Sequence, residues 1–353
     1  MGPGPGNPYP EVMEAFGRPV LGHLDPEFLE LLDDLNQRLR QVWRTDNRLT
    51  FPVSATGSAG MEACLVNLVR PGDPVVIGVN GLFGARMCEV AERCGAQVVR
   101  VDFEWGQPVD PEQLLSAHPE PTLIGVVHAE TSTGVRSELE PLGSGKGDAL
   151  LLVDCVTSLG GIPVEVDAWG VDVAYAGTQK CLGVPPGLAP VTFSDRALER
   201  VVERPQSWYL DVNLIAAYVG EGAARAYHHT APISMLYALH AGLGAILDEG
   251  LEAAWARHQA CGDELHRRLP ELGFELFAAE GYRLPELTTV RVPDSVTDEA
   301  AARQRLLADY GIEIGGGLGP VAGQVWRIGC MGHTARMRNV EMLLATLVAV
   351  TKE

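Results

Sequence analysis

Two ionisable residues, Lys180 and Asp154, lie where the sequence predicts buried strands to end. Asp154 follows the apolar run L-L-L-V, and Lys180 follows V-D-V-A-Y-A-G-T-Q one strand-to-strand connection later. The chain contains only three lysines, and Lys180 alone lies within a run of small and apolar residues. A lysine suits such a place because a desolvated amine can lose its proton and attack a carbonyl group, whereas arginine stays charged.

This pair of residue types suits pyridoxal phosphate (PLP) chemistry. Parallel strands bring their carboxyl ends to one edge of an open sheet, and ligands bind at that edge. The lysine would form a Schiff base with the cofactor, and the aspartate would pair with its protonated pyridine nitrogen. Spacing alone leaves other interpretations open: Asp154 as a helix cap or turn residue, and Lys180 as a loop charge on the surface.

Two further segments are typical of a ligand site at the same edge. T-G-S-A-G-M-E, residues 56–62, follows a strand and opens a helix, so its backbone N–H groups could face a phosphate. H-A-E-T-S-T-G, residues 128–134, follows the most apolar strand. Competing motifs fail, because G-S-G-K-G-D lacks the first Gly and the Ser/Thr of a P-loop. His228 and His229 are adjacent, which is poor spacing for a metal, and we expect no metal site.

The elements around these segments alternate between helix and strand. Asp25 and Pro26 predict the start of a helix that runs to about Trp43. Helices are expected near 58–70, 82–94 and 110–117, and strands at 74–79, 96–101, 122–128, 150–154, 171–176 and 189–194. Several of these strands are continuous apolar runs, which is typical of a parallel sheet covered by helices. After about residue 232, long helices and short strands at 274–277, 287–292 and 325–329 predict a smaller α+β domain.

Composition narrows the classes of partner. The chain has 353 residues and is 46% hydrophobic, which is enough for a large core and predicts two domains. Its net charge of −19 argues against a nucleic-acid partner and means that an anionic substrate needs a local cation. Arg327, inside the apolar V-W-R-I, could be that cation or could form a structural ion pair.

The cysteines and the N-terminus favour a cytoplasmic protein. The seven cysteines are scattered through apolar segments without C-x-x-C spacing, as reduced thiols are in cytosolic proteins. The segment M-G-P-G-P-G-N-P-Y-P has no apolar region of a signal peptide, and no apolar run approaches a membrane span. We therefore expect that the protein neither associates with a membrane nor is exported from the cytoplasm.

Longer motifs resemble the class V aminotransferases among the fold-type I PLP enzymes, in the alanine–glyoxylate/serine–pyruvate branch. The similarity is nearly end to end and includes G-P-G-P, G-L-F-G-A-R, H-A-E-T-S-T-G, V-D-C-V-T-S-L-G-G, Y-A-G-T-Q-K-C-L-G-V-P-P-G, Y-H-H-T-A-P-I-S-M-L-Y-A-L, G-G-L-G-P and W-R-I-G. The resemblance implies an α/β fold with a mainly parallel sheet in a large PLP-binding domain, 16–249, covered by helices. It also implies a smaller C-terminal α+β domain, 250–353, and an N-terminal segment, 1–15, that closes over the active site.

The resemblance also implies roles for individual residues. Lys180 would form the Schiff base and Asp154 would pair with the pyridine nitrogen. In the same subunit, Phe83 and Val156 would lie against the two faces of the cofactor ring, and Thr131 would lie near the ring hydroxyl. The phosphate would be bound by Thr56, Gly57, Ser58 and Gln179. Relatives often carry Trp at position 83, His at position 58 and Ser at positions 56 and 131, and the roles are the same.

The resemblance further implies contacts between the two subunits of a dimer and contacts with the substrate. Tyr227 and Thr230 would reach the phosphate of the partner subunit, so the family implies a homodimer with shared active sites. Arg327 would bind the substrate carboxylate, and the backbone near Pro3 and Gly4 would close over it.

The resulting hypothesis is a PLP-dependent aminotransferase that moves an amino group from alanine or serine to glyoxylate or pyruvate. One alternative is another class V PLP reaction, such as 2-aminoethylphosphonate transamination or cysteine desulfuration. Desulfuration needs a cysteine on a mobile loop, whereas Cys261 lies in a predicted helix and Cys330 in a predicted strand. The other alternative is a non-catalytic binding module with a PLP fold, against which the Lys180, Asp154 and Arg327 set argues.

Overall fold

A seven-stranded sheet forms the centre of the protein, which a computed structural model describes over residues 1–220 and 225–351. The strands, in chain order, are β1 (Leu49–Val53), β2 (Pro74–Val79), β3 (Gln97–Asp102), β4 (Leu123–Val127), β5 (Ala129–Glu130), β6 (Val135–Arg136), β7 (Leu150–Asp154), β8 (Val173–Tyr175), β9 (Ala189–Phe193), β10 (Leu287–Arg291), β11 (Gly315–Gly316) and β12 (Val325–Gly329).

The order of strands in the large sheet is β1–β9–β8–β7–β4–β2–β3. Neighbours from β8 to β3 pair in parallel, and β9 alone runs antiparallel to both β8 and β1. Every residue of β4 and β7 is buried, which explains their continuous apolar sequences. The predicted mainly parallel sheet is therefore confirmed, and β1, β2, β4, β7 and β8 end at one edge.

Helices flank the strands, and the one helix start that the sequence predicts from a capping residue, Asp25, is confirmed. They are α1 (Pro10–Ala15), α2 (Pro26–Trp43), α3 (Gly57–Leu68), α4 (Leu82–Arg93), α5 (Pro111–Ser116), α6 (Glu140–Gly145), α7 (Asp195–Leu198), α8 (Val212–Val219), α9 (Ile233–Glu249), α10 (Leu251–Glu271), α11 (Glu299–Tyr310) and α12 (Met337–Thr351). Asp25 caps α2, since its side chain accepts from the Glu27 N–H at 2.9 Å. No helix in the described ranges is both long and apolar enough to cross a membrane.

A second, three-stranded antiparallel sheet, β10–β12–β11, lies in the C-terminal part of the chain. Its apolar residues form a core between Cys261 and Val350, separate from the core that groups residues between Tyr9 and Ala254. The predicted strand at 274–277 is wrong: only a single bridge joins Leu276 to Val290. The chain turns away directly afterwards, because the Ala279 N–H donates to the Gly106 carbonyl at 2.8 Å.

Candidate active site

A cavity of about 140 Å³ opens at the edge where the parallel strands end. The residues that line it follow β1, β2, β4, β7 and β8, which brings together segments distant in the sequence. Among them are all the predicted cofactor contacts except Tyr227 and Thr230, namely Thr56, Gly57, Ser58, Phe83, Thr131, Asp154, Val156, Gln179 and Lys180.

Asp154 is the last residue of β7, and its carboxylate is held by two donors. The Tyr175 hydroxyl donates to Oδ2 at 2.7 Å, and the Val156 N–H donates to Oδ1 at 2.8 Å. Tyr175 ends β8 directly opposite Asp154 in the strand register. Burial raises the pKa of the Asp154 carboxyl to about 6, and the two hydrogen bonds oppose that rise. The group is therefore mostly ionised at neutral pH and can face a cationic partner.

Lys180 lies in the loop after β8 and is almost fully buried. Burial lowers the pKa of its amine to about 8, and the positive charge of Arg327 acts in the same direction. Its Nζ donates to the carbonyl of Pro3. A lysine with this pKa holds a useful fraction of neutral amine near pH 7 to 8, so it can attack a carbonyl group or accept a proton.

The N-terminal segment lies directly over Lys180. Gly4 has a φ of +101°, and a Cβ there would lie 2.7 Å from the Lys180 side chain. Both the backbone conformation and the lack of space require glycine at this position. The Gly6 N–H donates to the Gln179 carbonyl at 3.2 Å, which holds the segment in place.

One end of the cavity is suited to a phosphate. Thr56 precedes α3 and makes no side-chain capping bond, so the first N–H groups of this helix keep their capacity to donate. Gln179 lines the same cavity, and its buried Oε1 has no hydrogen-bond partner among the described residues. An anion with several oxygens would accept hydrogen bonds from these N–H groups, and the phosphate of PLP has that chemistry. The Gln179 Oε1 would need a separate donor.

The Phe83 wall of the cavity is positioned by Glu130, a fully buried residue. Glu130 Oε2 accepts from the Phe83 and Gly84 N–H groups at 3.1 and 3.3 Å, so it caps the start of α4. Its Oε1 accepts from the Ser132 N–H and hydroxyl at 3.0 and 2.6 Å. Burial raises the pKa of Glu130, although all four donors act to lower it. A Cβ at Gly81 would collide with this carboxylate.

Arg327 in β12 brings a positive charge from the second sheet. Its Nε donates to the Gly316 carbonyl at 2.8 Å, and its Nη1 approaches the Thr131 carbonyl at 3.4 Å. Neither contact is to a carboxylate, and within residues 1–220 and 225–351 no ion pair of Arg327 occurs. The structural ion pair that the sequence left open is therefore absent from the described part of the chain.

Tyr227 and Thr230 are not among the residues that line this cavity. Tyr227 is 57% exposed, and its hydroxyl lies 3.1 Å from Thr230 Oγ1. The two side chains therefore form a pair on the surface of the chain.

Sequence reasoning missed three residues that shape the site: Tyr175, Glu130 and Arg86. Tyr175 was part of an apolar strand run and carried no separate signal. Glu130 lay inside the highlighted segment 128–134, where a lone acid among hydroxyl residues was the available signal. Arg86 lines the cavity beside Ser58, and its position three residues after Phe83 on a helix was the clue.

Comparisons with known proteins agree with this architecture. The pattern of the family described as Aminotransferase class-V matches residues 12–338. The chain is 41% identical over 362 residues to alanine–glyoxylate aminotransferase of Oryctolagus cuniculus, covering 98% of this chain and 91% of the relative. It is 37% identical to (S)-ureidoglycine–glyoxylate transaminase of Bacillus subtilis, with 99% and 89% covered. The solved alanine–glyoxylate aminotransferase of a Nostoc species superposes with a TM-score of 0.96 at 48% identity, covering 99% of this chain and 94% of that one.

An α/β fold with this sheet, and a buried lysine and aspartate at its carboxyl edge, define a fold-type I PLP enzyme. The chain belongs to the class-V aminotransferase family. Members of this family are pyridoxal phosphate enzymes, and the protein is a PLP-dependent aminotransferase. The expected fold class, cofactor and reaction class are confirmed.

Proposed function

We propose that this aminotransferase moves an amino group from alanine or serine to glyoxylate or pyruvate. Two of the relatives described above are named for alanine and glyoxylate, and a third for ureidoglycine and glyoxylate. All of these substrates are small, and the amino and oxo acids carry a carboxylate. The proposal therefore needs a cation near Lys180 that can bind that group.

The observation that carries the proposal is the position of Arg327. Arg327 is 8% exposed, its charge acts electrostatically on Lys180, and its guanidinium is anchored by the carbonyls of Gly316 and Thr131. An arginine anchored through neutral acceptors keeps its charge for a ligand, and its planar fork matches a carboxylate. In a chain of net charge −19, such a local cation is what an anionic substrate requires.

The other proposed roles follow from the same geometry. PLP, when bound, supplies an electron-withdrawing ring that allows an amino acid to lose its α-proton. Lys180 Nζ would accept that proton and return it, because burial brings the pKa of its amine to about 8, near neutral pH. Asp154 would supply the negative charge that pairs with the ring nitrogen, and the hydroxyl of Tyr175 fixes the orientation of its carboxylate. The backbone of Pro3 and Gly4 covers Lys180 and keeps water away.

A panel of amino donors against glyoxylate and pyruvate tests the substrate proposal. Alanine and serine should give the highest kcat/KM, and 2-aminoethylphosphonate, which lacks a carboxylate for Arg327, should be much poorer. A preference for the phosphonate, or equal use of amines without a carboxylate, would contradict the proposal. Ureidoglycine belongs in the same panel because one relative is named for it.

We also propose a homodimer in which Tyr227 and Thr230 complete the phosphate site of the partner subunit. This is supported by the exposed pair itself and by the aromatic face around it. Trp208 is 63% exposed and stacks on His228 at 4.5 Å, next to Tyr227 in the chain. Large exposed aromatic side chains commonly mark a surface that another protein covers.

Mixing two inactive variants tests whether the sites are shared. Lys180→Ala lacks the lysine, and a Tyr227→Phe/Thr230→Ala double variant lacks the proposed phosphate contacts. In a mixed dimer, the site that keeps Lys180 would receive intact contacts from its partner, so activity should return. Proven subunit exchange without any recovery would mean that each site is built from one chain.

Two further parts of the proposal concern organisation. The boundary between 16–249 and 250–353 is supported by the two separate hydrophobic cores, which meet near the start of α10. The assignment of 1–15 as a covering segment is supported by the contacts of Pro3 and Gly4 with Lys180. A cytoplasmic location is supported by seven free, buried cysteines, which a reducing compartment preserves. Limited proteolysis near residue 250 and localisation of a tagged chain would test these two statements.

A further inference from the structure

A further arginine, Arg86, lines the candidate cavity beside Ser58 and Phe83. It lies on α4, one turn after Phe83, and its guanidinium stacks over the Phe83 ring with 5.0 Å to the ring centre. Its Nη1 donates to the Ser58 hydroxyl at 3.4 Å. These contacts direct a cation toward the first turn of α3.

The charge of Arg86 is not neutralised by the residues around it. Its hydrogen-bond partner, Ser58, is neutral, and in the described part of the chain no carboxylate forms an ion pair with it. Arg93, about two turns further along α4, shows the usual arrangement, since it pairs with Glu89 at 2.6 Å. In a chain with 46 acidic and 27 basic residues, a cation without a carboxylate at a cavity indicates an anionic ligand.

We propose that Arg86 binds the cofactor phosphate and is the side-chain cation of that subsite. The uncapped N-terminus of α3 can donate hydrogen bonds to a phosphate, but its partial charge is smaller than that of the dianion. Arg86 supplies a full charge and several N–H donors in a fork that matches phosphate oxygens. Because it donates to Ser58 Oγ, it leaves the Ser58 hydroxyl hydrogen free to donate to the same anion.

The stack on Phe83 gives Arg86 a second effect at the same place. Phe83 lines the cavity where the family places the cofactor ring, and Glu130 fixes its backbone. The Phe83 ring holds the guanidinium from one side by a cation–π contact. One helix, α4, therefore positions both Arg86, the cation for the phosphate, and Phe83, the residue that stacks on the ring. The buried carboxylate of Glu130 fixes the start of this helix.

The experiment compares PLP with pyridoxal, which has the same aldehyde and ring but no phosphate. Dissociation constants of both ligands are measured by fluorescence on cofactor-free wild type, Arg86→Gln and Arg93→Gln. Arg86→Gln should weaken PLP binding by about 10- to 150-fold, the range for losing a charge-assisted hydrogen bond, and leave pyridoxal binding unchanged. Added salt should weaken PLP binding more in the wild type than in Arg86→Gln.

Arg93→Gln is the matched control, since it removes one positive charge from the same helix outside the cavity. It should change neither constant. Equal weakening of PLP and pyridoxal by Arg86→Gln would overturn the proposal, because it would mean that Arg86 acts only by packing on Phe83. Unchanged PLP binding with a raised KM would also overturn it and assign Arg86 to the substrate.

This inference rests on the proposed cofactor site, and the two fail in different ways. A wild-type protein that binds neither PLP nor pyridoxal would contradict the site itself. A wild type that binds both, with an Arg86→Gln variant that discriminates between them as well as the wild type does, would contradict only the assignment of Arg86.

Discussion

The two sides of the candidate active site treat buried charge differently. On the large-sheet side, Asp154 accepts from Tyr175 and Val156, and Glu130 accepts from Phe83, Gly84 and Ser132. On the C-terminal side, Arg327 contacts only carbonyls. Glu286, just before β10, is fully buried with neither carboxylate oxygen hydrogen-bonded within the described ranges.

The difference indicates which carboxylates are held in one orientation by donors of the chain itself, and that Arg327 keeps its charge for a ligand. Charges that are hydrogen-bonded inside the chain fix side chains in one orientation, which is what a rigid cofactor platform needs. An arginine without a carboxylate keeps its attraction for an anion, so the C-terminal side can bind substrate. Glu286 has neither role, and burial raises the pKa of its carboxyl to about 8, so the group is largely protonated at neutral pH.

The largest effect is expected on the large-sheet side, from Lys180→Ala. Removing the amine should lower kcat by at least about 10²–10⁴-fold, the contribution of a general acid–base group. Borohydride treatment of the wild type should attach the cofactor mass to the peptide that contains Lys180 and to none in the variant. Lys180→Arg is the control, because it keeps a positive charge without a neutral amine. Near-normal turnover in either variant would assign the chemistry to another residue.

On the C-terminal side, Arg327→Lys should lose a charge-assisted hydrogen bond worth about 1.5–3 kcal/mol. That corresponds to roughly 10- to 150-fold in kcat/KM. The loss should appear with every amino and oxo acid, since each carries the carboxylate. Arg291→Lys is a suitable control because this β10 arginine is exposed and pairs with Glu275. A lower melting temperature with an unchanged kcat/KM would show that Arg327 is structural.

Substitution of the two buried glutamates, Glu130 and Glu286, should have smaller effects, which are mainly on stability and differ between the two positions. Glu130→Gln places an amide against backbone N–H donors of Phe83 or Ser132, which lose their acceptor. The free energy of unfolding should fall by about 1–3 kcal/mol, the cost of an unsatisfied buried group. PLP binding should weaken as Phe83 shifts. Glu138→Gln, an exposed change in the same segment, should alter neither quantity, and equal effects of the two variants would contradict the positioning role.

The effect of Glu286→Gln on the melting temperature should be smallest at low pH and should grow as the pH rises. Between the ordinary pKa of 4.5 and the raised pKa of about 8, the folded protein keeps a proton that the unfolded chain releases. Stability from this group is therefore fully present below the lower value and is lost as pH rises through the window. Glutamine resembles the protonated acid, so the variant should melt at a higher temperature than the wild type above neutral pH.

Melting temperatures of wild type and Glu286→Gln from about pH 5 to about pH 9 measure this effect. Glu280→Gln, an exposed change a few residues earlier, is the control and should follow the wild type. A constant difference between wild type and Glu286→Gln across the whole range would mean that Glu286 does not titrate in this window.

Local signals in the sequence were sufficient for most of the elements. The strands at 74–79 and 150–154 and the helix from Pro26 to Trp43 begin and end where the sequence predicts. Apolar runs, a capping aspartate and a proline at the first helical position are short-range features, and they act on the chain segment that carries them. The strand at 274–277 failed because pairing with β10 depends on where the chain turns next.

The sequence by itself determined the fold class and the family, and it predicted Lys180 and Asp154 as the central residues of a site whose cavity they line. Only the tertiary structure decided which groups hold them. Tyr175 reaches Asp154 because β7 and β8 pair in a given register, and Arg327 meets Thr131 because two separate sheets pack together. Periodicity and composition describe the faces of single elements, whereas these contacts depend on the register and packing between elements, which no local pattern carries.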